Sequence, residues 1–64
     1  MISPNKNLTT ALIFTAQCNR VEKMQRLLEV GADINASNGY GNTALIMAAK
    51  YGQFEVVEFL MDYG

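Results

Sequence analysis

Residues 41–52 read Gly41-Asn42-Thr43-Ala44-Leu45-Ile46-Met47-Ala48-Ala49-Lys50-Tyr51-Gly52. A glycine opens the stretch and a threonine able to cap a helix follows. A short run of small and aliphatic residues comes next, and a second glycine closes it. The stretch has an echo upstream. Displacing the chain against itself by about 33 residues lays Thr10-Ala11-Leu12-Ile13 on Thr43-Ala44-Leu45-Ile46. The same shift puts Ala16 on Ala49, Glu22 on Glu55, Leu27 on Leu60 and Gly31 on Gly64. Self-similarity at a period of roughly 20–50 residues is the mark of stacked structural repeats.

The totals bound what such a repeat can be. With 64 residues there is room for one small domain, near the lower size at which a core sustains itself. Half the residues are apolar, a composition that packs rather than one that stays disordered. Five basic and six acidic side chains leave a net charge of −1. They are interspersed, so no basic stripe attracts nucleic acid or anionic lipid, and neither is expected as a partner. No apolar run approaches the roughly 18 residues of a membrane span. Cys18 is the sole cysteine, which excludes an internal disulfide and suits a reducing compartment. An intracellular protein, cytoplasmic or nuclear, is therefore expected. Lys6, Leu8–Ala16 and Cys18 faintly resemble a secretory or lipoprotein leader. Thr9, Thr10 and Thr15 break that apolar stretch, and Gln17 stands where a small residue should precede a lipidated cysteine.

Taken in order, residues 1–9 contain the only proline, Pro4, and several polar residues, and they read as an N-terminal arm. Thr10 is the expected N-cap of a helix over about 11–18, whose Leu12, Ile13 and Ala16 gather on one face. Asn19 stands where the second copy has Gly52. Asparagine and glycine most readily take the left-handed conformation that ends a helix. Asn19 with Glu22, and Gly52 with Glu55, also have capping-box spacing for the next helix. Helix two is expected over about 21–30, with Val21, Met24, Leu27 and Leu28 at three- and four-residue spacing. Gly31 ends it. Residues 32–42 are rich in Gly, Asn, Asp and Ser, and Asn38-Gly39 signals a tight turn, so a hairpin-like finger is expected there. In the second copy, helices are expected over 44–51 and 54–63, and the chain stops at Gly64, where the first copy runs on into its finger.

These residues resemble the ankyrin repeat family, whose unit of about 33 residues carries a Thr-Pro-Leu-His-x-Ala core. The matching tetrapeptides are Thr10-Ala11-Leu12-Ile13 and Thr43-Ala44-Leu45-Ile46, joined by Ala48-Ala49, Gly52, Glu55-Val56-Val57, Leu60-Met61 and the Gly31–Ala36 junction. The resemblance implies an all-α solenoid of two helix-turn-helix repeats, 10–36 and 37–64, joined by a β-hairpin-like finger. Two departures bear on stability. Alanine replaces the family's proline at Ala11 and Ala44, and isoleucine replaces its histidine at Ile13 and Ile46. The histidine-centred hydrogen bonding to threonine is lost, so weaker caps and a more apolar layer are expected. Leu8 also occupies the place of Gly41.

No residue constellation carries chemistry, so no catalytic, cofactor or metal site is expected. Gly39-Tyr40-Gly41 lacks the strand and flanking residues of a phosphate loop. Glu55, Glu58 and Asp62 lie at the spacing of a solvated helix face. Cys18 has no histidine partner, and Asp33 with Asn35 reads as turn chemistry rather than a calcium loop. Recognition remains. The family's finger tips and inner helices form a concave protein-binding surface, which implies Ser37, Gly39, Tyr40, Asn42, Met47, Lys50 and Tyr51 here. In the first repeat the same places are Lys6, Asn7, Thr9, Gln17 and Cys18. Tyr40 and Tyr51 stand out because tyrosine couples large contact area to a polar tip. The plainer alternatives are a loop tip for Tyr40 and packing on the finger for Tyr51. A second role is homo-oligomeric or array stacking through the last helix, with Phe54, Val57, Phe59, Leu60 and Met61 as the expected contacts. Repeats bury their apolar faces only against neighbours.

Overall fold

The computed structural model describes residues 6–63. Four helices follow one another: α1 (Lys6–Gln17), α2 (Val21–Glu29), α3 (Ala44–Lys50) and α4 (Phe54–Tyr63). They form two hairpins, α1 against α2 and α3 against α4. The inner helices α1 and α3 pack extensively on each other, and α2 meets α4 more narrowly.

Both hairpins turn by the same backbone device. Asn19 sits at φ +60° and Gly52 at φ +70°. Around the first, Arg20 N–H donates to the Thr15 carbonyl at 2.9 Å and Asn19 N–H to that of Ala16 at 3.3 Å. Around the second, Gln53 N–H donates to Ala48 at 2.8 Å and Gly52 N–H to Ala49 at 3.2 Å. These paired bonds satisfy the last carbonyls of each inner helix through one left-handed residue. Ala32 and Gly31 close α2 in the same way on Leu27 and Leu28. At Gly52 an added Cβ would meet nothing within 4 Å, so a substitution there costs backbone conformation alone. Gly52→Val is expected to destabilise by about 1–2 kcal/mol, read as a lower urea midpoint. An unchanged midpoint would mean the turn is free to relax.

The capping boxes do not form. Arg20, not Asn19, is the N-cap of α2, and it makes no side-chain capping bond. The Asn19 side chain is used between repeats instead: its Nδ2 donates to Glu55 Oε1 at 3.0 Å. A carboxylate only accepts, so the amide nitrogen faces it. That orientation leaves Asn19 Oδ1 buried without a partner. A second link runs alongside, Gln53 Nε2 donating to the Gln17 carbonyl at 2.6 Å.

Helix α1 starts at Lys6, ahead of the position expected from Thr10, which lies inside the helix rather than capping it. The second copy shows why. Gly41 takes φ +81° and Thr43 stays extended, its hydroxyl accepting from Ile46 N–H at 3.2 Å. Leu8 stands in the glycine's place, where a left-handed conformation would cost it about 1–2 kcal/mol, and it packs on the core as part of a longer helix instead. The arm expected over 1–9 is thus helical from residue 6; residues 1–5 lie outside the described part.

The core is small and layered. Leu12, Ala16, Met24, Leu28, Ala32, Ala44, Ala48, Val56 and Leu60 form one buried cluster, flanked by Leu8, Val21, Leu27, Ile34, Val57 and Phe59. Ala44 and Ala48 have no exposed surface, which lets α3 approach α1 closely. Thr15 is buried too, and its hydroxyl donates to the Leu12 carbonyl at 2.7 Å.

Candidate functional site: the finger tip and the open face of the second repeat

The finger is built from asparagine side chains rather than from strands; among the described residues no strand occurs. Asp33 Oδ1 accepts from Asn35 N–H at 2.9 Å, and Ala36 N–H donates to the Asp33 carbonyl at 3.1 Å. Asn38 then organises the tip. Its Oδ1 accepts from Tyr40 N–H at 2.8 Å and from Asn42 N–H at 3.1 Å. Its N–H donates to the Asn42 carbonyl at 2.9 Å, and its carbonyl accepts from Gly41 N–H at 3.0 Å. Asn38 is therefore the first residue of the turn and Gly41 the last, the usual places for asparagine and glycine. The tight turn signalled by Asn38-Gly39 is present with Asn38 as its first residue, and no strand pairing flanks it. A ladder needs a second strand, and the finger's amides are taken by Asn38 and Asp33.

Tyr40 projects from this turn with 90 % of its surface exposed. Ser37 and Gly39 are exposed beside it in sequence, and Asn42 is half-buried. On α3, Lys50 and Tyr51 are exposed and Met47 is half-buried. In the first repeat Cys18 is exposed, Thr9 and Gln17 are half-buried, and the side chains of Lys6 and Asn7 lie outside the described part.

The last helix divides differently from expectation. Phe54 and Met61 are exposed. Leu60 is buried in the core, while Val57 and Phe59 lie half-buried against it. The Phe59 ring also meets Tyr63, centroids 5.7 Å apart. Leu60 therefore belongs to the core, and Val57 and Phe59 are partly covered by it. Three residues on α3 that sequence reasoning passed over are exposed instead: Leu45, Ile46 and Ala49. The repeat register held the signal, because they stand where the first copy has Leu12, Ile13 and Ala16. Those three are buried in the first copy.

Charge gives no focused site. A groove at the start of α2 is lined by Arg20, Lys23 and Arg26 together with Glu22 and Glu55, a mixture with little net pull on either sign of ligand. Among the described residues no cluster of cysteine and carboxylates is placed to hold a metal. Nor is any helix long and apolar enough to cross a membrane.

Two tandem helical hairpins, each closed by a left-handed residue and stacked through small inner-helix side chains, define a helical repeat solenoid. The chain belongs to the ankyrin repeat family: the family model for ankyrin repeats (3 copies) matches residues 2–64. It is 36% identical over 59 residues to the ankyrin repeat protein YahD of Escherichia coli, covering 92% of this chain and 29% of that protein. An ankyrin repeat protein of Rickettsia bellii is 50% identical over 42 residues, 66% of this chain and 25% of its own length. An E3 ubiquitin-protein ligase of Arabidopsis thaliana is 44% identical over 54 residues, 84% of this chain and 10% of the ligase. The chain thus spans less than a third of these relatives. No solved structure matches it. Ankyrin repeats are generally protein–protein interaction modules and generally non-catalytic.

Proposed function

We propose that the chain is a non-catalytic recognition module that binds a protein through its finger tip and inner helices, and that it works in a reducing, intracellular compartment. The observation that carries the reading is Tyr40. It is a large aromatic held out on a turn closed by four hydrogen bonds to Asn38, so the turn's backbone has its shape before a partner arrives. Tyr51, Lys50, Met47, Ser37, Gly39, Asn42 and Gln17 complete the surface. The exposed lone thiol of Cys18 supports the compartment.

A photo-crosslinking residue at position 40, with one at Glu29 on the outer helix as control, would capture the partner. Titration of the purified partner then decides. Tyr40→Ala is expected to weaken binding by roughly 30-fold or more, the loss typical of a central aromatic hot spot, with helicity unchanged. Equal affinity of the wild type and Tyr40→Ala would remove the reading.

The second reading is stacking: the chain as a self-associating unit, or as part of a longer ankyrin array, joined through the C-terminal side of the second repeat. The exposure of Leu45, Ile46 and Met61 favours it.

A further inference from the structure

We propose that the finger tip is a self-modifying site: Asn38 closes onto the backbone nitrogen of Gly39, loses ammonia and reopens as aspartate or isoaspartate. The conversion is a one-way change to the turn that carries Tyr40. Only its consequence for binding rests on the recognition reading.

Asn38 is the only asparagine of the chain followed by a glycine. The following residue supplies the attacking nitrogen, and a side chain on it crowds the five-membered ring that must close. Glycine has none. Gly39 is exposed, and among the described residues no hydrogen bond takes up its N–H.

The fold adds what a bare Asn-Gly pair lacks. Asn38 Oδ1 accepts from Tyr40 N–H at 2.8 Å and from Asn42 N–H at 3.1 Å. The bond to Tyr40, two residues on, folds the side-chain amide back along the peptide link to Gly39. When the Gly39 nitrogen attacks Cγ, the carbonyl electrons move onto Oδ1. Two backbone donors already point at the atom that takes up that charge. Such bonds strengthen as the oxygen becomes anionic, so they favour the transition state over the resting amide. The departing nitrogen, Nδ2, makes no hydrogen bond among the described residues.

Solvent base removes the Gly39 amide proton, the nitrogen bonds to Cγ, and the Cγ–Nδ2 bond breaks with Nδ2 leaving as ammonia. Water then opens the cyclic imide at one of its two carbonyls. Opening at Cγ restores the original chain with an aspartate, whose carboxylate accepts from the same two N–H groups. Opening at the main-chain carbonyl gives isoaspartate, with an extra methylene in the backbone. The oxygen that accepted from Gly41 N–H then belongs to a pendant carboxylate, and the turn loses its register.

The test incubates the full chain at mildly alkaline pH and locates each new acid by peptide mass spectrometry. Asn38 is expected to convert about ten-fold faster than Asn35 and Asn42, and Gly39→Ala to slow it by a similar factor with helicity unchanged. Conversion in urea at the same pH should be slower than in the folded chain. In the isolated isoaspartate form, amide exchange at Tyr40 and Asn42 is expected to quicken several-fold as their acceptor is lost. If Asn38 converts no faster than Asn35 and Asn42, or faster in urea than when folded, the turn shields the residue and the proposal is overturned. If isoaspartate forms and exchange at Tyr40 and Asn42 is unchanged, its effect on the turn is overturned. No partner enters these measurements, so failure of the recognition reading would leave their outcome untouched.

Discussion

Leu12→Ala is expected to cost about 2–5 kcal/mol, whereas the same change 33 residues on, Leu45→Ala, should cost less than about 1 kcal/mol. The two leucines occupy one register, follow an alanine and precede an isoleucine. Local sequence therefore gives no reason for a difference. The reason is that Leu12 is 1% exposed between the repeats and Leu45 is 42% exposed at the open end. Removing the first leaves a cavity and forfeits transfer energy; removing the second returns partly wetted atoms to water. A domain of this size holds roughly 3–10 kcal/mol in total, so Leu12→Ala should remove much or all of the cooperative transition. Urea denaturation followed by far-ultraviolet circular dichroism measures both. Similar losses at the two sites would mean that Leu45 is covered in solution.

Ala48→Leu is expected to destabilise by about 1–3 kcal/mol or more through overpacking, and its neighbour Ala49→Leu to change stability by less than about 0.5 kcal/mol. Alanine and leucine have similar helix propensity, which leaves packing as the only large variable. Ala48 lies without exposed surface in the core cluster, where α3 meets α1. A leucine there must push the inner helices apart, and the Asn19–Glu55 and Gln53–Gln17 links would stretch with them. Ala49 is exposed and has room. Matched thermal melts read the difference directly. If Ala48→Leu melted with the wild type, the inner helices would not be held at the distance described.

What was legible in the chain follows from how far each signal reaches. The period, the helical hairpins and the left-handed residues at Asn19 and Gly52 were readable, because each depends on residues within a turn or two. Thr43 was readable as a cap for the same reason. Thr10 was not readable as a helix-interior residue: its surroundings suit a cap, but Leu8 gains core contact only once α1 continues through it. The capping boxes had the right spacing at Asn19 and Glu22, yet Asn19 bonds Glu55 in the other repeat, a contact no local window contains. On α4 the apolar residues Phe54, Val57, Phe59, Leu60 and Met61 looked alike as a list. Only packing separated the enclosed Leu60 from the exposed Met61.

The sequence by itself determined that this is a tandem ankyrin repeat and where its helices turn, since conformational preference is a property of neighbouring residues. The tertiary structure alone decided which of two near-identical faces is covered, Leu12, Ile13 and Leu28 or Leu45, Ile46 and Met61. Burial depends on what stands on the far side, and no residue carries that information in its own identity.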